Sequence, residues 1–165
     1  MVELDSLLNS PQTFESQGIR RLDDADYTGA AEQFRKGLAL APDAASLHHR
    51  LGTALSLMQD DQAARPEFET AVRLSPDYFP AQFSLGVLLQ SRNRHAQAIE
   101  HFEAALKARP SYTEARLRLA SSQRRTGRLK ESLAAYAEAT ATVPGELLAA
   151  VAALVYRLQP KVRLM

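Results

Sequence analysis

The sequence repeats one pattern of small and aromatic residues at a fixed interval of 34 residues. In one copy, Ala98, Phe102, Ala105 and Pro110 stand at offsets of 0, 4, 7 and 12. Offsets of four and seven return to the same side of an α-helix. The alanines let a second helix approach closely, the ring fills the space between the helices, and the proline ends the helix because it has no N–H to donate. Each copy therefore predicts an amphipathic helix that packs closely on a neighbour and stops at a fixed point.

Three other segments carry this pattern at constant spacing, without an insertion. Their matching residues are Ala30, Phe34, Gly37 and Pro42; Ala64, Phe68, Ala71 and Pro76; and Ser132, Tyr136, Ala139 and Pro144. The other half of each unit repeats as well, because Gly52, Gly86 and Ala120 each follow a leucine. A fixed period of this kind predicts helical hairpins that stack in a row, each burying its apolar face against the next.

This arrangement resembles the tetratricopeptide repeat (TPR) family. The matching units are 11–44, 45–78, 79–112 and 113–146, which leaves an N-terminal extension at 1–10 and a C-terminal segment at 147–165. The family pattern begins with an aromatic or large residue, which Phe14 matches, whereas His48, Gln82 and Arg116 depart from it. The resemblance implies an all-α fold: a right-handed α-solenoid of four helical hairpins, with a capping helix and tail at 147–165.

Each unit is expected to hold two helices. The first helices are predicted near 12–23, 45–58, 79–91 and 113–125, and the second helices near 28–40, 62–74, 96–108 and 130–142. Aspartates at 26, 43, 60 or 61, and 77 stand where helix caps or turns are expected. Pro66 falls in the first turn of the second helix of the second unit, or just inside that helix, so we expect a shifted start or a slight kink there.

The C-terminal stretch GELLAAVAALVYRLQ is apolar nearly all round. A helix that caps a repeat array normally has a polar outer face. Exposed apolar residues are typical of contact surfaces, so Leu148, Val151 and Val155 are candidates for self-association. One alternative function is therefore that of a structural protein that self-assembles through this helix, for example as a homodimer.

The resemblance implies that the first helices line a concave groove, where an extended peptide or a helix of a partner protein would bind. Phe83 and Val87 would form its apolar middle, and arginines of the fourth unit its basic end, able to hold carboxylates by forked hydrogen bonds. The alternative is that these arginines are simply solvated near a helix C-terminus, which the helix dipole favours. The predicted groove residues are Glu15, Ile19, His49, Arg50, Thr53, Phe83, Val87, Gln90, Leu117, Arg118, Ser121, Arg124 and Arg125.

One TPR subgroup binds acidic chaperone tails through a carboxylate clamp of lysines and asparagines. The corresponding positions here are Glu15, Ile19, Thr53, Phe83 and Val87, and none of them matches. The expected partner is therefore a different protein or peptide, acidic and with an apolar anchor.

Several chemistries are not predicted. The sequence has no cysteine, which excludes disulfides and thiolate metal sites. His48 and His49 are adjacent, and His95 and His101 are six apart, so neither pair has the spacing of metal ligands on a helix. Motifs for phosphate loops, serine hydrolases and zinc proteases are absent. We therefore expect no enzyme, no metal and no cofactor, although the chain could be the recruiting domain of a larger enzyme.

Charge is unevenly distributed along the chain. Residues 1–112 hold 11 Lys/Arg and 15 Asp/Glu, whereas residues 113–165 hold 9 and 4. This gradient is too mild to predict a nucleic-acid partner. The N-terminus has no basic signal-peptide region, and the longest apolar run is too short to span a bilayer. The sequence therefore predicts no membrane insertion and a cytoplasmic location.

Overall fold

The computed structural model describes residues 9–140, which form eight α-helices and no strand. The first helices of the four units are α1 (Pro11–Asp23), α3 (Ala45–Leu57), α5 (Phe79–Ser91) and α7 (Thr113–Arg125). The second helices are α2 (Tyr27–Leu40), α4 (Asp61–Leu74), α6 (His95–Ala108) and α8 (Leu129–Thr140). Each first helix packs against the second helix of its own unit, and each second helix packs against the first helix of the next unit. The all-α helical repeat fold is confirmed.

The second helices begin in strict register at Tyr27, Asp61, His95 and Leu129. The side chains of Asp26 and Asp60 accept hydrogen bonds from Gly29 N at 2.9 Å and Ala63 N at 3.1 Å. These carboxylates satisfy N–H groups that have no partner within the helix.

Of the two alternatives expected at Pro66, the shifted start is wrong, because α4 begins in register at Asp61 and continues through Pro66 to Leu74. The slight kink stays a prediction. Asp60 caps the N-terminus of this helix and fixes where it begins. Pro66 lies on the exposed side of α4. Its missing N–H removes a hydrogen bond from the solvent-facing side of the helix only.

A glycine and a phenylalanine fix the distance between the helices of the second and third hairpins. A Cβ placed on Gly52 would lie 2.7 Å from the ring of Phe68, and one on Gly86 would lie 2.7 Å from the ring of Phe102. These distances are shorter than any van der Waals contact, so each ring occupies the space that a side chain would need. The small residue in the repeat is therefore a requirement of packing.

The fourth hairpin fills the space between its two helices with different residues. Ala120 replaces the glycine, and half-buried Tyr136 replaces the buried phenylalanine. Ser132 stands where the other units have alanine, and its buried hydroxyl donates to the carbonyl of Ala120 at 2.7 Å. A hydrogen bond between the helices thus accompanies the looser ring packing in this unit.

Every turn within a hairpin contains one residue in the left-handed region of backbone space. These residues are Ala25, Gln59, Asn93 and Gly127, with φ of 59°, 65°, 58° and 81°. Only glycine adopts this region without steric cost, and asparagine tolerates it better than other residues. The backbone of the repeat therefore recurs even where the sequence does not supply a favourable residue.

The three residues that depart from the family's leading aromatic share one structural role. A side-chain nitrogen of each lies within hydrogen-bond distance of the carbonyl of the proline six residues earlier. The pairs are His48 with Pro42 at 2.8 Å, Gln82 with Pro76 at 2.9 Å, and Arg116 with Pro110 at 2.6 Å.

The same three side chains also bind the second helix of their own unit. His48 contacts Glu67 at 2.7 Å, and the ring of His101 donates to Gln82 at 2.8 Å. Arg116 forms an ion pair with Glu138 at 3.3 Å. We call these contacts the polar clasps. In each of the last three units they join the loop that enters the unit to both of its helices.

Candidate functional site

A pocket of about 360 Å³ lies between α3 and α5, on the face of the first helices where the groove was predicted. Its apolar surface comes from Phe83, Val87 and the partly exposed Leu57, with the ring of Phe68 below. Its polar surface includes the hydroxyl groups of Thr53, Ser56, Ser84 and Ser91. An apolar floor with a polar rim is typical of a pocket that receives an apolar side chain. Of the predicted groove residues, the structure brings Thr53, Phe83 and Val87 together here.

The sequence prediction missed Ser56, Leu57 and Ser91, which also line this pocket. They follow Thr53 by three and four residues and Val87 by four. Residues at these spacings lie on the same face of a helix. Continuing the predicted face by one turn would have found them.

Packing holds the ring of Phe83 in place. Its centroid lies 4.8 Å from that of Tyr112 and 5.9 Å from that of Phe102. Tyr112 in turn contacts Phe79 edge-on at 5.5 Å, and the guanidinium of Arg109 lies 4.9 Å from the centre of the Phe79 ring. Such ring pairs and cation–π contacts restrict side-chain motion. The apolar wall of the pocket is therefore preorganised.

His49 supports the pocket from behind and does not line it. Its ring packs on Phe68 at 5.8 Å and on Tyr78 at 5.5 Å. Its Nε2 lies 3.0 Å from the hydroxyl of Ser84 in the next unit, within hydrogen-bond distance. Burial, assisted by the nearby charge of Arg50, lowers the pKa of His49 to about 4. The imidazole is therefore neutral at pH 7.

Arg50 is neutralised by the first unit. Its Nε donates to a carboxylate oxygen of Glu15 at 2.6 Å, which joins α3 to α1. Thr53 donates its hydroxyl to the carbonyl of His49 at 2.9 Å, one turn earlier on the helix. The predicted residues Glu15 and Arg50 therefore bind each other across the groove wall. Ile19 is half-buried on α1.

Gln90 and Arg118 form a second connection between units, joining α5 to α7. Gln90 donates to the hydroxyl of Ser122 at 2.9 Å and accepts from the guanidinium of Arg118 at 3.2 Å. Arg118 also lies 3.5 Å from Glu114 on its own helix. Its charge is thus shared between a neutral amide and an exposed carboxylate.

The structure divides the predicted basic end of the groove. Leu117 and Ser121 are half-buried on α7. Arg124 is half-buried, and its buried Nε has no hydrogen-bond partner in residues 9–140. Arg125 is exposed and lines a separate cavity beside the turn of the third unit. The three arginines therefore do not form one patch.

The candidate self-association residues Leu148, Val151 and Val155 lie outside the described residues. Within the part of the chain that the structure describes, no three His, Asp or Glu side chains are grouped as metal ligands would be. None of the eight described helices has the length and hydropathy needed to cross a bilayer.

Comparisons with known proteins agree with the repeat pattern. The family model described as "Tetratricopeptide repeat" matches residues 16–79, 49–101 and 83–146. No curated protein matches the sequence significantly.

The solved structures similar to this chain include two of MamA and one of YrrB. One MamA crystal structure is 24% identical, covers 82% of this chain and 81% of its own, and has a TM-score of 0.74. MamA from Desulfovibrio magneticus RS-1, from residue 41 to its end, is 20% identical, with coverages of 81% and 76% and a TM-score of 0.74. YrrB, described as a TPR protein with an unusual peptide-binding site, is 22% identical, with coverages of 86% and 73% and a TM-score of 0.71.

These three likenesses, all below 25% identity, establish the fold alone. The family model extends across residues 16–146 and so matches most of the sequence. The chain belongs to the tetratricopeptide repeat family.

Proposed function

We propose that this protein is an interaction scaffold whose concave groove binds an extended peptide or a helix of a partner protein. Proteins with the TPR fold generally mediate protein–protein interactions, and the family is generally non-enzymatic. The observation that carries the proposal is the pocket between α3 and α5, which combines an apolar floor with a polar rim of hydroxyl groups, Gln59 and Asp61. A segment bound along the first helices would contact this pocket.

The pocket is the anchor point. An apolar side chain of the partner would contact Phe83, Val87 and Leu57, and the hydroxyl rim would hydrogen-bond its backbone. A few buried contacts of this kind supply most of the affinity of many interfaces. The ring of Phe83 already packs on Phe102 and Tyr112, so little ordering is needed on binding.

Arginines of the fourth unit favour acidic residues on one side of the anchor. Arg124 has a buried Nε without a partner in residues 9–140, so a carboxylate there would satisfy a polar atom. Arg118 is held by Gln90 and lies at the edge of hydrogen-bond distance from Glu114. The latter is an exposed pair, worth at most about 1 kcal/mol, so Arg118 can exchange it for a partner's carboxylate.

The likeness to YrrB is one of fold, so the proposal depends on this chain's own pocket. It is tested by selection from a displayed peptide library on the wild type and on a variant with the pocket filled. Ser56 lines the pocket, so we expect the large side chain of Ser56→Trp to fill it without replacing Phe83. Ser111→Trp, at an exposed turn residue, is the matched control.

We expect the wild type and Ser111→Trp to enrich the same peptides with an apolar anchor, and Ser56→Trp to lose them. If Ser56→Trp enriches the same peptides as the wild type, or if the wild type enriches none, the proposal is wrong. Arg124→Gln separates the charge preference from the anchor, because it should reduce only the acidic residues beside the anchor.

A further inference from the structure

The cavity that Arg125 lines measures about 500 Å³ and lies where the turn of the third unit meets the end of α7. The turn and the start of α6 supply Asn93, Arg94, His95 and Gln97, and α7 and its end supply Arg125 and Thr126. Among residues 9–140, no carboxylate lines this cavity. It shares no lining residue with the groove pocket, so it is a separate feature of the surface.

Two other cavities beside turns show what is unusual about it. The one beside the first turn contains Arg21, whose guanidinium contacts Asp26 at 2.5 Å. The one between the second and third units shares Arg94 with the present cavity, and there Arg92 pairs with Asp61 at 3.1 Å, so that carboxylate is already bound. In both, a carboxylate of the chain neutralises a guanidinium. Within the described residues, Arg94 and Arg125 form no ion pair.

The sequence of the repeat explains the difference. The residue before the second helix is aspartate in the first two units, at Asp26 and Asp60, and arginine in the last two, at Arg94 and Arg128. Residues 79–140 hold 10 Lys/Arg and only 5 Asp/Glu. The cavity therefore lies in a region with few carboxylates to compete for its arginines.

His95 adds a polar atom without a partner. This half-buried residue lines the same cavity, and its buried Nδ1 has no hydrogen-bond partner in residues 9–140. Buried polar atoms in folded proteins are nearly always hydrogen-bonded, so this unpaired nitrogen distinguishes the wall of the cavity.

We propose that this cavity binds a phosphate monoester. Two guanidinium groups from different units offer forked donors to phosphate oxygens, a geometry in which arginine is the preferred residue. The side-chain amides of Asn93 and Gln97 provide neutral donors in the same cavity. A dianionic phosphate matches the two positive charges, whereas a carboxylate matches one. The monoester is either a phosphorylated side chain of a partner protein or a free phosphate metabolite.

The test uses the full chain and follows backbone amide signals by NMR. The probes are inorganic phosphate, a short Gly/Ser peptide containing one phosphoserine, and the same peptide unphosphorylated. Arg94→Gln and Arg125→Gln each remove one guanidinium. Both residues are exposed and unpaired in the described part of the chain, so we expect both variants to fold. Arg35→Gln, an exposed arginine on α2, makes the same change of charge elsewhere and is the control.

We expect saturable shifts at Gln97, Arg125 and Thr126 with a phosphorylated probe and none with the unphosphorylated peptide. Each cavity variant should weaken binding about tenfold or more, the effect of losing a charge-assisted hydrogen bond, while Arg35→Gln leaves it unchanged. Tighter binding of the phosphopeptide than of inorganic phosphate identifies a protein partner as the source, and the reverse identifies a free phosphate. Absence of saturable shifts, or equal weakening by Arg35→Gln, would overturn the proposal.

Discussion

The second and third units pack the same cluster of three rings, with a different ring at one position. The second unit packs His49 on Phe68 and Tyr78, and the third packs Phe83 on Phe102 and Tyr112. Each residue of the first cluster stands 34 positions before its counterpart in the second. The distances from the varying ring are 5.8 and 5.5 Å in the second unit and 5.9 and 4.8 Å in the third.

The difference teaches how one site of a repeat serves two purposes. His49 has a polar edge, and it uses that edge to bind Ser84 and so to join the second unit to the third. Phe83 has no polar edge, and its ring contributes apolar surface to the groove pocket. The repeat determines the position of the ring, and the identity of the ring decides whether it connects units or lines the pocket.

The largest effect should come from removing the buried ring of each cluster. Phe68 and Phe102 are 3% and 0% exposed, so Phe68→Ala and Phe102→Ala each leave a cavity. We expect each to lower the free energy of unfolding by about 3–5 kcal/mol, measured by urea denaturation. If the two clusters are equivalent, the two losses agree within about 1 kcal/mol. A much smaller loss in one unit would show that its cluster is not a packing element.

The next largest effect concerns pH and distinguishes the clusters. The folded state holds the pKa of His49 near 4, below its ordinary value of 6.5. The unfolded chain therefore binds a proton at higher pH than the folded one. The contribution of neutral His49 is fully present above pH 6.5, is lost as pH falls toward 4, and amounts to about 3 kcal/mol.

His49→Phe converts the second cluster into the third and isolates this effect from the titration of carboxylates. We expect the difference in unfolding free energy between wild type and variant to change by about 3 kcal/mol between pH 7 and pH 4. The reverse exchange, Phe83→His, is the companion variant. A constant difference across this pH range would show that His49 is not buried as a neutral ring.

A smaller effect is expected at the glycines beneath the clusters. Gly52→Ala and Gly86→Ala each place a Cβ 2.7 Å from a buried ring. Overpacking of this kind costs more than the helix gains from alanine, so we expect a net loss of about 1–2 kcal/mol. The two losses should be similar, because the nearest ring atoms would lie 2.7 and 2.8 Å from the added Cβ at both positions. Thermal unfolding of both variants compares the two losses.

The smallest change in stability is expected from substitutions in the turns of the second and third units. Gln59 and Asn93 both have positive φ, 65° and 58°. Gln59→Gly should stabilise the protein by about 1 kcal/mol, because glycine adopts this conformation without strain. Asn93→Gly should gain less, because asparagine tolerates positive φ. An equal gain at both turns in urea denaturation would contradict this account.

The repeat period was sufficient to predict the helices and their pairing. Small residues such as Gly52 and Ala64 and rings such as Phe68 recur because the space between the helices is the same in every unit. The aspartates at 26 and 60 predicted helix caps correctly, because a carboxylate at that point has unpaired N–H groups to bind. The face of the first helices predicted three residues of the pocket.

The sequence did not predict which groove residues bind each other. Four predicted groove residues bind side chains of a neighbouring unit instead of lining the pocket with Phe83. They are His49, Arg50, Gln90 and Arg118. Such contacts depend on the distance between neighbouring units, and this distance cannot be derived from the spacing of residues within one unit. The carbonyl partners of Gln82 and Arg116 were missed for a related reason. Every residue has a backbone carbonyl, so a sequence pattern does not indicate which one accepts a hydrogen bond.

The polar clasps have a consequence for moving repeats between proteins. A graft that begins at the first residue of a first helix leaves Pro42, the carbonyl partner of His48, in the host chain, together with the geometry of its loop. A segment from Pro42 through Glu67 carries the carbonyl, the bridging side chain and its partner on α4 as one set. A segment cut in the middle of two successive second helices would therefore keep each polar clasp whole. The segment that transfers best between proteins is thus shifted by half a helix from the helical hairpin.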